Sequence, residues 1–172
     1  LSAERVLGVP RPEARQLFVP MAEWQAWLRR VDAMEQLPAL GLRIAKVISA
    51  KHFGVVGYCA LACASLAEAL QRMERYHASV YDVNPARVSI GPSGVVMEWG
   101  VERGRPGALV DETAIASLVQ LARDMTGRHF AIREVGFVNP RPDDLRPYEA
   151  FFGGVVRFDQ PVTRVVIDAE YL

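Results

Sequence analysis

The chain has too little cysteine for a disulfide framework. Cys59 and Cys63 are its only two, and four residues apart on a helix they lie at the outer limit of bridging geometry. They read as small buried residues of a reducing compartment. Charge of one sign is also missing: 20 basic residues balance 20 acidic ones. Dividing the chain after Ala86 leaves 10 basic and 8 acidic residues, then 10 and 12. Neither part carries the dense basic footprint by which proteins hold nucleic acid. No apolar run reaches the eighteen or so residues that a membrane span needs. No charged segment leads into an apolar one at the N-terminus, so no secretory signal is visible. A cytoplasmic location is the expectation. The chain opens on Leu1 rather than Met, as a trimmed fragment would.

Reactive motifs are equally scarce. The sequence lacks a phosphate-binding glycine loop, a Gly-x-Ser-x-Gly elbow and a His-Glu-x-x-His pair. His52, His77 and His129 are scattered, and no pair has metal-ligand spacing. No catalytic residue, metal or cofactor is expected. A Cys–His nucleophile built from Cys59 or Cys63 with His77 is conceivable, but nothing nearby would lower a thiol pKa.

What is present is an ordinary globular composition, 51% hydrophobic and 23% charged, which excludes disorder. One domain over 21–172 is expected, behind an extended arm at 1–20 that carries Pro10, Pro12 and Pro20. Trp24, Trp27, Leu28 and Val31 predict a helix over about 21–34. Both tryptophans read as core, or alternatively as the lining of an apolar pocket or a dimer contact. Pro38 suits the first turn of a second helix, about 38–49, with Leu40, Ile44, Val47 and Ile48 inward. Residues 54–64 are too apolar for a half-exposed helix and read as a peg buried on most sides. Ser65 with Glu68 is a capping signature. It opens a helix whose inward stripe is Leu66, Ala69, Leu70, Met73, Tyr76, His77 and Val80. Asn84-Pro85 ends it.

Beyond Pro85 the periodicity changes to two. Residues 87–90 and 95–101 form a hairpin around Gly91-Pro92-Ser93-Gly94, with Val95, Met97, Trp99 and Val101 on one face. Asp111 is expected to cap a helix over about 112–126 that Gly127 stops. A strand at 131–138, a short helix ending at Gly153-Gly154 and strands at about 155–158 and 164–168 complete the chain. This order predicts an α+β domain: a small, mainly antiparallel sheet with helices packed on one face.

One ligand-binding possibility stands out. Phe53, Tyr58, Met73, Tyr76, His77, Tyr81 and Trp99 are large, several with polar tips, on elements expected to face each other. They can enclose a small apolar molecule, or simply fill the core. Arg43 lies beside the second helix's stripe, where it forms a salt bridge or anchors an anionic ligand.

These same residues carry a resemblance. Gly41-Leu42-Arg43, Phe53-Gly54 with Gly57-Tyr58, Ser65-Leu66 with Glu68-Ala69-Leu70, and Arg75-Tyr76 resemble the N-terminal effector domain of AraC-type bacterial transcriptional regulators, the arabinose-binding type. Val135, Phe137, Pro140, Pro142, Tyr148, Phe152-Gly153, Val156, Phe158 and Val166-Ile167-Asp168 continue it, so the likeness covers about 38–172. Asn139 stands where the family commonly has histidine. The resemblance implies a sensor that binds an unidentified small effector, forms a homodimer, and controls DNA binding by a C-terminal helix-turn-helix pair absent from this chain. It implies no membrane partner. Two other readings stand beside it: a pure dimerisation or protein-interaction module without a small-molecule ligand, and a small enzyme using Cys63 or His77.

Overall fold

The structure is a computed structural model that describes residues 19–35, 38–79, 81 and 83–172. The expected arm lies outside the described residues except for Val19 and Pro20. Helix α1, Met21–Glu35, buries Leu28 and sets Trp24 edge-on to Trp27, with ring centroids 6.3 Å apart. Helix α2, Leu40–Ala45, is shorter than the apolar stripe suggests. It stops at Ala45, so Val47 leaves the stripe and is exposed. Gly41 lets α2 approach closely, because a β-carbon there would lie 2.8 Å from Glu112 Cβ.

A short 3-10 turn, Ala50–Phe53, is capped reciprocally by Ser49 and His52 and leads into α3, Gly54–Leu61. Here the expectation fails. Only Val56, Gly57 and Ala60 of α3 are buried, while Val55, Tyr58 and Leu61 are exposed. Cys59 is exposed and Cys63 half-buried. The helix meets the rest of the domain along one side and leaves its other apolar side open, so it is no peg. Helix α4, Leu66–Tyr76, starts at Ser65, whose side chain accepts from the Glu68 backbone N–H. Glu68 reaches back to the Ala64 N–H at 2.9 Å, one residue before the position expected of a capping box.

Strands β1, Ala86–Gly91, and β2, Gly94–Trp99, form the expected hairpin. Helix α5, Ala108–Thr126, begins four residues earlier than the sequence suggests, with Gly107 as its cap and Gly127 in the left-handed region at its end. Asp111 is therefore not a cap but a buried member of the first turn. Strand β3 is Glu134–Gly136, α6 is Arg146–Phe152, β4 is Val155–Arg157 and β5 is Thr163–Asp168. The five strands run in the order β1-β2-β5-β3-β4, antiparallel except for β3 beside β4. The domain is thus α+β, with six α-helices and an open, mostly antiparallel sheet among the described residues.

Alternation along the strands turns Val95, Met97, Val135, Val165 and Ile167 into one core with residues of α2, α4, α5 and α6. On the opposite face Glu98 and Arg164 stand in register, 3.7 Å apart. Phe137, Tyr148, Phe152 and Phe158 pack as an aromatic group beneath α6. This core supports one end of α5 and leaves its first two turns facing a hollow.

Candidate functional site

That hollow is a cavity of about 420 Å³, within the range of small-molecule sites. Phe53, Met73, His77, Tyr81 and Trp99 all line it. Trp24 joins them from α1, so the alternative reading of the tryptophan pair as a pocket wall applies to this member. The Gln25 side chain donates to the Pro106 carbonyl at 2.7 Å, tying α1 to the loop that forms the rim. Asn84 holds the same loop from the other end: its Nδ2 donates to Gly104 O at 2.9 Å and its Oδ1 accepts from Arg103 N at 3.0 Å.

Three sequence candidates lie elsewhere. Tyr58 is 60% exposed and Tyr76 52% exposed, and neither borders the cavity. Successive helical residues rotate by about 100°. Carried from α4 into the 3-10 turn His77–Ser79 that follows it, this places His77 within the stripe of Leu66, Leu70 and Met73, and carries Tyr76 to its edge. On α3 it turns Tyr58 roughly opposite Val56 and Ala60. Arg43 borders a different hollow of about 440 Å³, with Lys46, Arg123 and His129. Arg123 there is structural, since its guanidinium donates to Phe130 O at 2.8 and 3.1 Å and lies over Phe151 at 5.3 Å.

Three of the first cavity's polar residues, Asp111, Thr113 and Ser117, come from α5, and sequence reasoning missed them as lining. Asp111 is only 6% exposed. Its Oδ2 accepts from Thr163 Oγ1 at 2.6 Å and from Asn139 Nδ2 at 3.0 Å. Burial pushes the Asp111 carboxyl up to about 6, against the pull of those two hydrogen bonds. The neighbouring Glu112 points away toward α6 and accepts from Tyr148 Oη at 2.9 Å. Burial raises it to about 7; the Tyr148 bond lowers it, and the charges of Asp111 and Asp32 raise it further. Ser117, also lining the cavity, is 5% exposed and its Oγ has no hydrogen-bond partner among the described residues. Among the described residues His77 Nε2 is likewise without one. Burial lowers the His77 pKa and so favours the neutral ring. One signal for Asp111 is visible in the sequence. It precedes Ile115, Leu118 and Ala122 at helical spacing, which makes it an acid on an apolar stripe rather than a cap.

Among the described residues no group of His, Cys, Asp and Glu is arranged to hold a metal. No helix among them is long and apolar enough to cross a membrane.

The family described as the arabinose-binding domain of AraC transcription regulators, N-terminal, matches residues 6–172. Among curated proteins the chain is similar to an ornithine utilization regulator of Pseudomonas aeruginosa. The two are 27% identical over 78% of this chain and 40% of that protein. Among solved structures it is similar to the transcriptional regulator CdpR, also of Pseudomonas aeruginosa. The TM-score is 0.67 and the identity 15%, over 99% of this chain and 53% of that one. At that identity the likeness is one of fold. The chain thus spans about half, or less, of the length of these relatives.

Proposed function

Because the chain belongs to the N-terminal arabinose-binding domain family of AraC transcription regulators, we propose that it is the effector-sensing domain of such a regulator. The family is regulatory, which points away from catalysis. The observation that carries the reading is the 420 Å³ cavity, walled by aromatic and aliphatic side chains and furnished with few polar groups. Phe53, Met73, His77, Tyr81 and Trp99 are its contact residues on this reading, joined by Asp111 and Ser117. Occupancy would bridge α1, α4, α5 and the sheet, and so bias how these elements pack. DNA contact is assigned to parts of the regulator outside this chain, in keeping with its zero net charge.

The test fills the cavity mouth. Ala114 lines the cavity yet is exposed, so Ala114→Phe adds bulk there with little disturbance of the core. A thermal-shift panel of ring-bearing small molecules should raise the Tm of the wild type for some members, with the shift lost in Ala114→Phe. Equal shifts in both proteins, or none in either, would overturn the proposal.

Self-association is a second reading, favoured by one observation. Val55, Tyr58 and Leu61 form an exposed apolar arc on α3, of the kind buried between subunits. Sedimentation equilibrium should show a dimer that Tyr58→Lys dissociates; a monomeric wild type removes this reading.

A further inference from the structure

We infer that the effector is a monocation: an apolar, ring-sized body carrying a protonated amine or amidine, anchored on Asp111 inside the cavity. This rests on the sensing role proposed above and names its ligand class. Asp111 is the one acidic residue among the described residues that line the cavity, and no lysine or arginine lines it. Both described protein hydrogen bonds to Asp111 fall on Oδ2, so Oδ1 remains for a ligand. Six residues along the same helix, Ser117 is buried with an unpartnered Oγ on the same cavity. A buried hydroxyl without a partner is uncommon in a folded protein and marks a place where a ligand atom would complete it. Six residues of helix put about 9 Å of rise between the two, so an ammonium or amidinium serves Oδ1 while Ser117 Oγ meets a second polar atom farther along the ligand.

Charge decides between ligand classes. A carboxylate in an apolar enclosure loses hydration that only a cation restores in full, and charge-assisted hydrogen bonds are about twice as strong as neutral ones. A carboxylate or phosphate ligand would find no cation in the described lining and would meet Asp111 as a like charge. The other titratable groups nearby do not reverse this. His77 and His52 also line the cavity, but His77 is held toward its neutral form by burial. Glu112 adds a second acid on the same helix, and Asp32 of α1 acts on it at longer range. The remaining wall, including Phe53, Trp99, Trp24, Met73, Leu118 and Ile48, suits an aromatic or aliphatic body. Two of these are indoles, a ring type whose face attracts a cation.

Isothermal titration of the 172-residue chain with matched probes tests this. The probes are 3-phenylpropylamine, 3-phenylpropan-1-ol and 3-phenylpropionate, which share a body and differ in head group. The amine should bind at least tenfold more tightly than the alcohol, and the carboxylate more weakly than either. Asp111→Asn should cost the amine at least tenfold and leave the alcohol nearly unchanged. Ser117→Ala, which leaves the carboxyl in place, should leave amine binding nearly unchanged, because the probe has a single head group and Asp111 holds it. Tighter binding of the alcohol or carboxylate than the amine overturns the ligand class while leaving the sensing role intact. Equal amine binding to wild type and Asp111→Asn overturns it too. Binding of none of the three overturns both. If Asp111→Asn also loses the alcohol, the variant is damaged, and the wild-type order of the three probes decides.

Discussion

Replacing Glu112 with glutamine removes a titration that the fold makes unfavourable. The Glu112 carboxyl is buried between α5 and the aromatic group below α6 and accepts from the Tyr148 hydroxyl. Its pKa rises from an ordinary 4.5 to about 7. A raised pKa means the folded state binds the proton more tightly than the unfolded chain. The stability Glu112 contributes is therefore fully present below about 4.5 and is lost as pH rises through about 7. A tenfold change in proton affinity between folded and unfolded chain is worth about 1.4 kcal/mol, so the loss approaches roughly 3 kcal/mol at pH 8. Asp111, raised to about 6, adds a loss of the same sign that Glu112→Gln does not remove. Glutamine can still accept the Tyr148 bond, and the cost of its extra N–H donors is a constant offset. The diagnostic is therefore the slope. Urea unfolding followed by tryptophan fluorescence between pH 4.5 and 8 should show wild-type stability falling with pH. Glu112→Gln should fall less, with the difference between the two proteins changing by about 2–3 kcal/mol in the variant's favour across the range. Parallel profiles would refute the reasoning, since they would mean that Glu112 ionises in the folded domain as freely as in water.

Two further outcomes follow from packing. Gly41→Val places a side chain against the Glu112 β-carbon and the Thr113 backbone nitrogen, 2.8 and 2.9 Å from the first added atom. It should cost about 1–3 kcal/mol by forcing α2 off α5, read as a lower urea midpoint at unchanged slope. Phe152→Ala empties the centre of the aromatic group, where Phe152 is fully buried against Phe137 and Phe151. It should cost about 3–5 kcal/mol in the same assay.

The sequence and the structure agree where one physical signal dominates. Period-two alternation and the turn residues at 91–94 define the β1–β2 hairpin. Ser65, Gly127 and Gly153 set helix ends through capping chemistry and left-handed backbone. The α4 stripe leads to Met73 and His77, and hairpin alternation leads to Trp99, so much of the cavity wall was legible. Tyr76 was not, because it sits at the stripe's edge, where a tyrosine can turn either way. The α3 segment has apolar residues on every side, so periodicity carries no information about which side stays open. Asp111 was hidden by its own commonest role: an acid just before a helical stripe reads as a cap. Only the tertiary position of Gly107, four residues earlier, moves it into the first turn. Thr163 and Asn139, which hold Asp111, come from 52 and 28 residues away, a distance no local pattern spans.

The most direct test of the cavity as a ligand site uses the three tryptophans as built-in reporters. Trp24 and Trp99 line it, whereas Trp27 does not. In a ¹H–¹⁵N correlation spectrum titrated with 3-phenylpropylamine, the indole N–H signals of Trp24 and Trp99 should move together and saturate. Trp27 should move less, and the backbone amide of Leu61, on the outer side of α3, should stay still. Movement confined to Leu61 and its neighbours, or no movement of either cavity indole, would contradict the account.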